Sequence, residues 1–78
     1  MRNESHIKEF EKNQKWFLEN FEGLVTRYKD KFVAVWNQEI IDDDFDLVIL
    51  AERVQRKTMG AKGIYIEFVS DKPMEMIL

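Results

Sequence analysis

The densest run of side chains able to do chemistry is Asp42-Asp43-Asp44-Phe45-Asp46, in which four carboxylates fall within five positions. Oxygen donors at that density are the ligand type of a hard divalent cation, and a pair such as Glu39 with Asp42 is the residue type for acid-base work. The surrounding pattern points elsewhere. A calcium-binding loop needs a glycine at its sharp turn and a closing glutamate, and neither follows here. Aspartates that open a helix instead satisfy free N–H groups and meet the positive pole of the helix dipole, with Asp43 or Asp44 as the cap and Asp46 in the first turn. No metal or other cofactor is expected. The sole histidine, His6, falls in the first turns of a helix, cysteine is absent, and no serine stands in a nucleophile-elbow context. The chain is therefore expected not to be an enzyme.

The bases form the second group. Arg53, Arg56 and Lys57 gather at the end of a helical stretch, where positive charge is favoured by the dipole without any ligand. Gly60-Ala61-Lys62-Gly63 has the G-x-x-G spacing with which a KH loop clamps a nucleotide backbone. That loop joins two helices, whereas here a strand follows at once, so the glycines more simply end the helix and turn the chain. A nucleic-acid-binding accessory domain using Arg53, Arg56, Lys57 and Lys62 is the alternative reading. The net charge of −3 makes nucleic acid the less favoured partner.

These groups need elements to hold them. Lys31 to Asp42 crowds β-branched and aromatic residues on both sides of Asn37-Gln38, which predicts a hairpin with a two-residue loop. Asn tolerates the positive φ of such turns and Gln does so poorly, so the turn type stays open. With that loop, Trp36 faces Glu39, Val35 faces Ile40, Ala34 faces Ile41 and Val33 faces Asp42. Both faces of the hairpin are then apolar, which implies cover on both sides, at least in part. Ahead of it, Ile7, Phe10, Phe17, Phe21, Leu24 and Tyr28, with Gln14 in the gap, recur at alternating steps of three and four, the spacing of an amphipathic helix. Asn3 suits its N-cap, and a break or kink is expected near Asn20 to Gly23.

After the hairpin a second helix is predicted from about Phe45 to Thr58, with Leu47, Leu50, Ala51 and Val54 toward the core. Gly63 to Ser70 alternates as a strand, Ser70-Asp71-Lys72-Pro73 is a turn, and Met74 to Leu78 reads as a last strand that must pair with the sheet or with another chain. The order α-β-β-α-β-β implies an α+β fold, a mostly antiparallel sheet with helices packed on one face. The third strand fits beside the first in antiparallel pairing, the preferred arrangement, or beside the second as a right-handed parallel pair, and a circularly permuted ferredoxin-like arrangement is a third option.

Two apolar surfaces remain. Trp16 projects well away from the stripe of the first helix, and either later parts of the chain cover it or it anchors a protein contact. Phe45 and Ile49 fall away from the core stripe of the second helix, on the side shared with Glu52 and Arg56, Val48 lies between the two faces, and clustered apolar residues of that kind mark contacts. Seventy-eight residues make one domain, 1–78, with a modest core and no disulfide, so dense packing or self-association must help stabilise it. Homo-oligomerisation and a protein partner are the expectation. With no apolar run long enough to span a bilayer, the reading is cytoplasmic with no membrane contact.

The residues Asn13-Gln14-Lys15-Trp16-Phe17, Leu24, Tyr28 and Lys31-Phe32-Val33-Ala34-Val35-Trp36-Asn37 carry a resemblance. The chain resembles a family of small prokaryotic domains of unknown function marked by a leading helix and a Tyr-x-x-Lys-aromatic-Val-Ala hairpin. The resemblance covers the central two thirds or so and implies the same hairpin fold. Members usually carry Asn-Gly in the turn, from which Gln38 departs. It also implies gene neighbourhood with retropepsin-like proteases, and it carries over no catalytic residue.

Overall fold

Two residues at positive φ build the hairpin. In the computed structural model, which describes residues 4–71, Asn37 and Gln38 adopt φ of 55° and 58°, the pair of left-handed conformations that defines a type I′ turn. Trp36 and Glu39 exchange both backbone hydrogen bonds across it, at 3.0 and 3.2 Å. The strands are β1 (Phe32–Val35) and β2 (Ile40–Asp44).

Val35 pairs with Ile40 as the loop length requires, and then the register slips. A β-bulge leaves Ile41 as the extra residue, so Ala34 faces Asp42, Val33 faces Asp43 and Phe32 faces Asp44. The expected pairs of Ala34 with Ile41 and Val33 with Asp42 are displaced by one. Because side chains alternate between faces, the bulge moves Asp42 and Asp44 onto the side of Ala34 and leaves Asp43 on the side of Val33.

β3 (Tyr65–Phe68) pairs antiparallel with β1, giving the order β2-β1-β3. This is the preferred antiparallel arrangement. Val33, Val35, Tyr65 and Val69 are covered by α1 (Glu4–Glu19) and α2 (Phe21–Tyr28), chiefly through Phe17 and Leu24. Ala34, with Phe32, Ile41, Ile64 and Ile66 around it, is covered from the other side by Leu50 and Val54 of α3 (Leu47–Lys57). The α+β class and the antiparallel sheet are as expected, but the helices lie on both faces. The cause is in β1, whose successive residues Val33, Ala34 and Val35 are all fully buried, so each face needs its own cover.

Asn20 ends α1 and starts α2. Its backbone N–H and its Nδ2 both donate to the Trp16 carbonyl, at 3.0 and 2.8 Å, which satisfies a carbonyl left free at the helix end. Its own carbonyl then accepts from Leu24 N–H at 3.1 Å. The break therefore falls at Asn20, and Gly23 lies inside α2.

α3 starts two residues later than expected. Asp46, and not Asp43 or Asp44, is its N-cap, with Oδ1 accepting from Ile49 N–H at 3.0 Å. Leu50 and Val54 are buried, whereas Leu47 and Ala51, expected in the core, are exposed. The helix packs over β2 and β1, and on its open side Ala51 and Val54 line a groove with Ile64 and Ile66. The proposed Asn3 cap and the strand Met74–Leu78 lie outside the described residues.

Candidate interaction surface

Three of the four carboxylates of the acidic run are paired with bases of the same chain, and the fourth, Asp46, caps α3. Arg53 is held as a fork: Nε donates to Asp42 Oδ2 at 2.7 Å, Nη2 to Asp42 Oδ1 at 2.9 Å, and Nη1 to Asp44 Oδ2 at 3.1 Å. Nη2 also reaches the Asp43 carbonyl at 2.9 Å. Lys57 Nζ donates to Asp42 Oδ2 at 3.2 Å and to the Ile41 carbonyl at 3.1 Å. Two aspartates two positions apart meet one guanidinium from α3 only because the bulge turned both to that face.

The electrostatics follow from the geometry. The Arg53 guanidinium beside Asp42 holds that carboxyl far below the usual carboxylate range, against the opposing effect of burial. Asp44 is lowered too, first by the N–H of Asp46 and also by Arg53. The two carboxylates in turn raise Arg53. A carboxylate held this firmly ionised does not take up a proton near neutrality, so Asp42 is not tuned for acid-base work. Asp43, on the other face, pairs with Lys31 Nζ at 3.0 Å. Among the described residues no group of three or more His, Asp or Glu side chains is arranged to hold a metal ion.

The bases named for nucleic acid are thus divided. Arg53 is paired with Asp42 and Asp44, and Lys57, though exposed, is paired with Asp42, while Arg56 and Lys62 are exposed on α3 and in the following loop. The four do not form one free basic surface. The G-x-x-G loop is also closed on one side. Gly63, at φ +83°, lies so near α1 that an added Cβ would sit 2.8 Å from Glu9 Cβ and 3.3 Å from the His6 carbonyl.

The apolar surface candidates separate as well. Trp16 is half-buried against the core cluster of the α1 side, in a groove with Leu24, Tyr28 and Ile40. It is therefore on the face of the sheet opposite α3 and does not share a surface with the α3 residues. Phe45 precedes the cap and is 67% exposed, with Lys31 Nζ over its ring at 5.0 Å. Val48 and Ile49, 64% and 49% exposed, belong to α3 itself.

On a helix whose buried side is Leu50 and Val54, the 100° advance per residue directs Val48, Glu52 and Arg56 away from the sheet, with Ile49 beside them. Met59 is 91% exposed. It follows the C-cap Thr58 at φ 57°, and the chain there forms a Schellman end: Met59 N–H donates to the Arg56 carbonyl at 3.2 Å and Gly60 N–H to that of Gln55 at 2.8 Å. Periodicity places Glu52 on the side of Ile49 but does not reach Met59. The signal that reveals Met59 is its spacing from Ile49, at ten positions.

No helix among the described residues is long and apolar enough to cross a membrane. Comparison with protein-family models, with curated proteins and with solved structures returns no match to this chain.

Proposed function

We propose that this protein is a small, non-catalytic interaction module that acts by self-association and by binding a protein partner through the outer face of α3. The observation that carries the reading is the exposure of Val48 and Ile49 on a helix that buries Leu50 and Val54 on its other side. Among the described residues neither side chain belongs to either core cluster. Water imposes no preference for branched aliphatic groups there, and neighbouring exposed aliphatics of this kind are contact material.

Incorporation of a photo-crosslinking amino acid at Val48, with Lys12 on α1 as control site, tests this in cells expressing the full chain. Protein adducts that form from position 48 and not from position 12 support the module. Equal labelling from both positions, or none from 48, overturns it.

A further inference from the structure

The stripe Ile49, Glu52, Arg56 and Met59 runs apolar, acidic, basic, apolar at steps of three, four and three, so its spacing reads the same in both directions. Ile49, Glu52 and Arg56 fall within one arc of α3 and span about 10 Å at 1.5 Å per residue, and Met59 stands two residues past the end of the helix. Resting on the reading of α3 as a contact face, we infer that its occupant is a second copy of this chain, docked with the two α3 helices antiparallel about a two-fold axis level with Val54. Such an axis brings Glu52 to the second copy's Arg56 and Ile49 to the second copy's Met59, and symmetry makes each contact twice.

Charge complementarity is the first support. Among the described residues the side chains of Glu52 and Arg56 make no ion pair or hydrogen bond, although they stand four apart in the orientation that favours pairing on a helix. The other bases of α3, Arg53 and Lys57, are both paired. Among the described residues Glu52 and Arg56 are thus one acid and one base without a side-chain partner, and an axis midway between them brings each to the other's counterpart in the second copy.

Met59 is the second support. Its place after the C-cap is one that glycine fills with least steric cost, yet a methionine occupies it in the left-handed conformation, at φ 57°, with almost its whole surface in water. Within the subunit a glycine would serve the turn better. Against a second copy the long, adaptable thioether covers Ile49. Val48 flanks the pair, and a contact built on one helix from each chain is small, so the dimer is weak and dilution dissociates it.

The test is sedimentation equilibrium of the full chain over about a hundredfold range of concentration, on the native sequence and on Glu52→Arg, Arg56→Glu and Met59→Gly, each checked for native circular dichroism. The native chain should pass from monomer to dimer, and each charge variant alone should weaken the dimer by about tenfold or more, since like charges then oppose. An equal mixture of Glu52→Arg and Arg56→Glu should recover dimer, because arginine meets glutamate at both sites of the mixed pair. The double variant carrying both changes restores complementarity within one chain and serves if a single variant fails to fold. Met59→Gly should weaken association while keeping the fold. A native chain that stays monomeric throughout, charge variants that dimerise as the native chain does, or a mixture no better than its components overturns the inference. Adducts at position 48 made only with other proteins, together with a monomeric native chain, would remove the second copy and with it the self-association half of the proposed function, leaving the partner-binding half standing. A monomer without specific adducts removes both.

Discussion

Asn13 and Gly63, fifty positions apart, are joined by a 2.8 Å hydrogen bond from the Asn13 Nδ2 to the Gly63 carbonyl. The same carboxamide accepts through Oδ1 from the Gln38 N–H at 2.9 Å. Asn13 is fully buried, so one polar side chain of α1 holds both the tip of the hairpin and the loop that leads into β3. Neither backbone group belongs to a strand ladder, and a buried one left without a partner carries a desolvation cost.

Replacing that side chain should therefore be among the most damaging single changes. Asn13→Leu, close in size, strands the Gln38 N–H and the Gly63 carbonyl and should cost about 2–4 kcal/mol. Urea unfolding should show a lower midpoint with an unchanged slope. A loss under about 0.5 kcal/mol, the level of a neutral surface change, would contradict the bridging role.

The two glycines of the loop should respond unequally. Both have positive φ, but Gly60 has open space around it while Gly63 lies against Glu9 and His6. Gly60→Ala should cost about 1 kcal/mol for the left-handed backbone alone. Gly63→Ala adds a clash with α1 and should cost about 2–4 kcal/mol. Equal losses in thermal unfolding would mean that the close approach to α1 contributes nothing.

The hairpin turn can be improved. Gln38 holds φ at 58°, where a type I′ turn prefers glycine. Gln38→Gly relieves that conformation and keeps the N–H that Asn13 accepts from, so stability should rise by about 0.5–1 kcal/mol, net of the added freedom of the unfolded chain. Denaturant titration showing a loss would place the strain elsewhere.

Acid should unfold the protein partly through Asp42. Its folded-state carboxyl is held well below the usual range by Arg53, whereas an unfolded aspartate titrates near ~3.9. A lowered folded value means stabilisation that is fully present above the unfolded value and lost as pH falls below it toward the folded one. Asp42→Asn should remove about 1–2 kcal/mol at neutral pH, allowing for the partial access of water to the pair, and should flatten the acid limb of stability against pH. An acid limb of unchanged steepness would rule this out.

At the alkaline end, burial and then the Glu67 carboxylate, which accepts from the Tyr65 hydroxyl at 2.7 Å, push that phenol up to about 12. A raised phenol favours the fold below its unfolded value near ~10 and gives up that contribution as pH climbs toward 12. Phenolate absorbance should show Tyr65 ionising in that upper range, and substitution of Glu67 by Gln should bring it down.

What the order of residues determined by itself is local. The two-residue turn, the Val35 to Ile40 pair, the helical spacing of Phe17, Phe21 and Leu24, and the off-stripe position of Ile49 follow from periodicity and turn chemistry, which act within a few residues. Tertiary structure decided what depends on residues distant in the chain. The bulge at Ile41 is one: two candidate registers differ by a single residue, and the one observed is the one that lets Asp42 and Asp44 meet Arg53. The burial of Asn13 is another, since an asparagine beside an apolar stripe reads as surface until two backbone groups from elsewhere in the fold come to meet it. The exposure of Leu47 and Ala51, and of Met59 past the end of α3, likewise depends on where that helix comes to rest across the sheet. Periodicity sorts residues onto faces of an element. Which neighbour each face meets is settled by contacts whose free energies exist only once the chain has closed on itself.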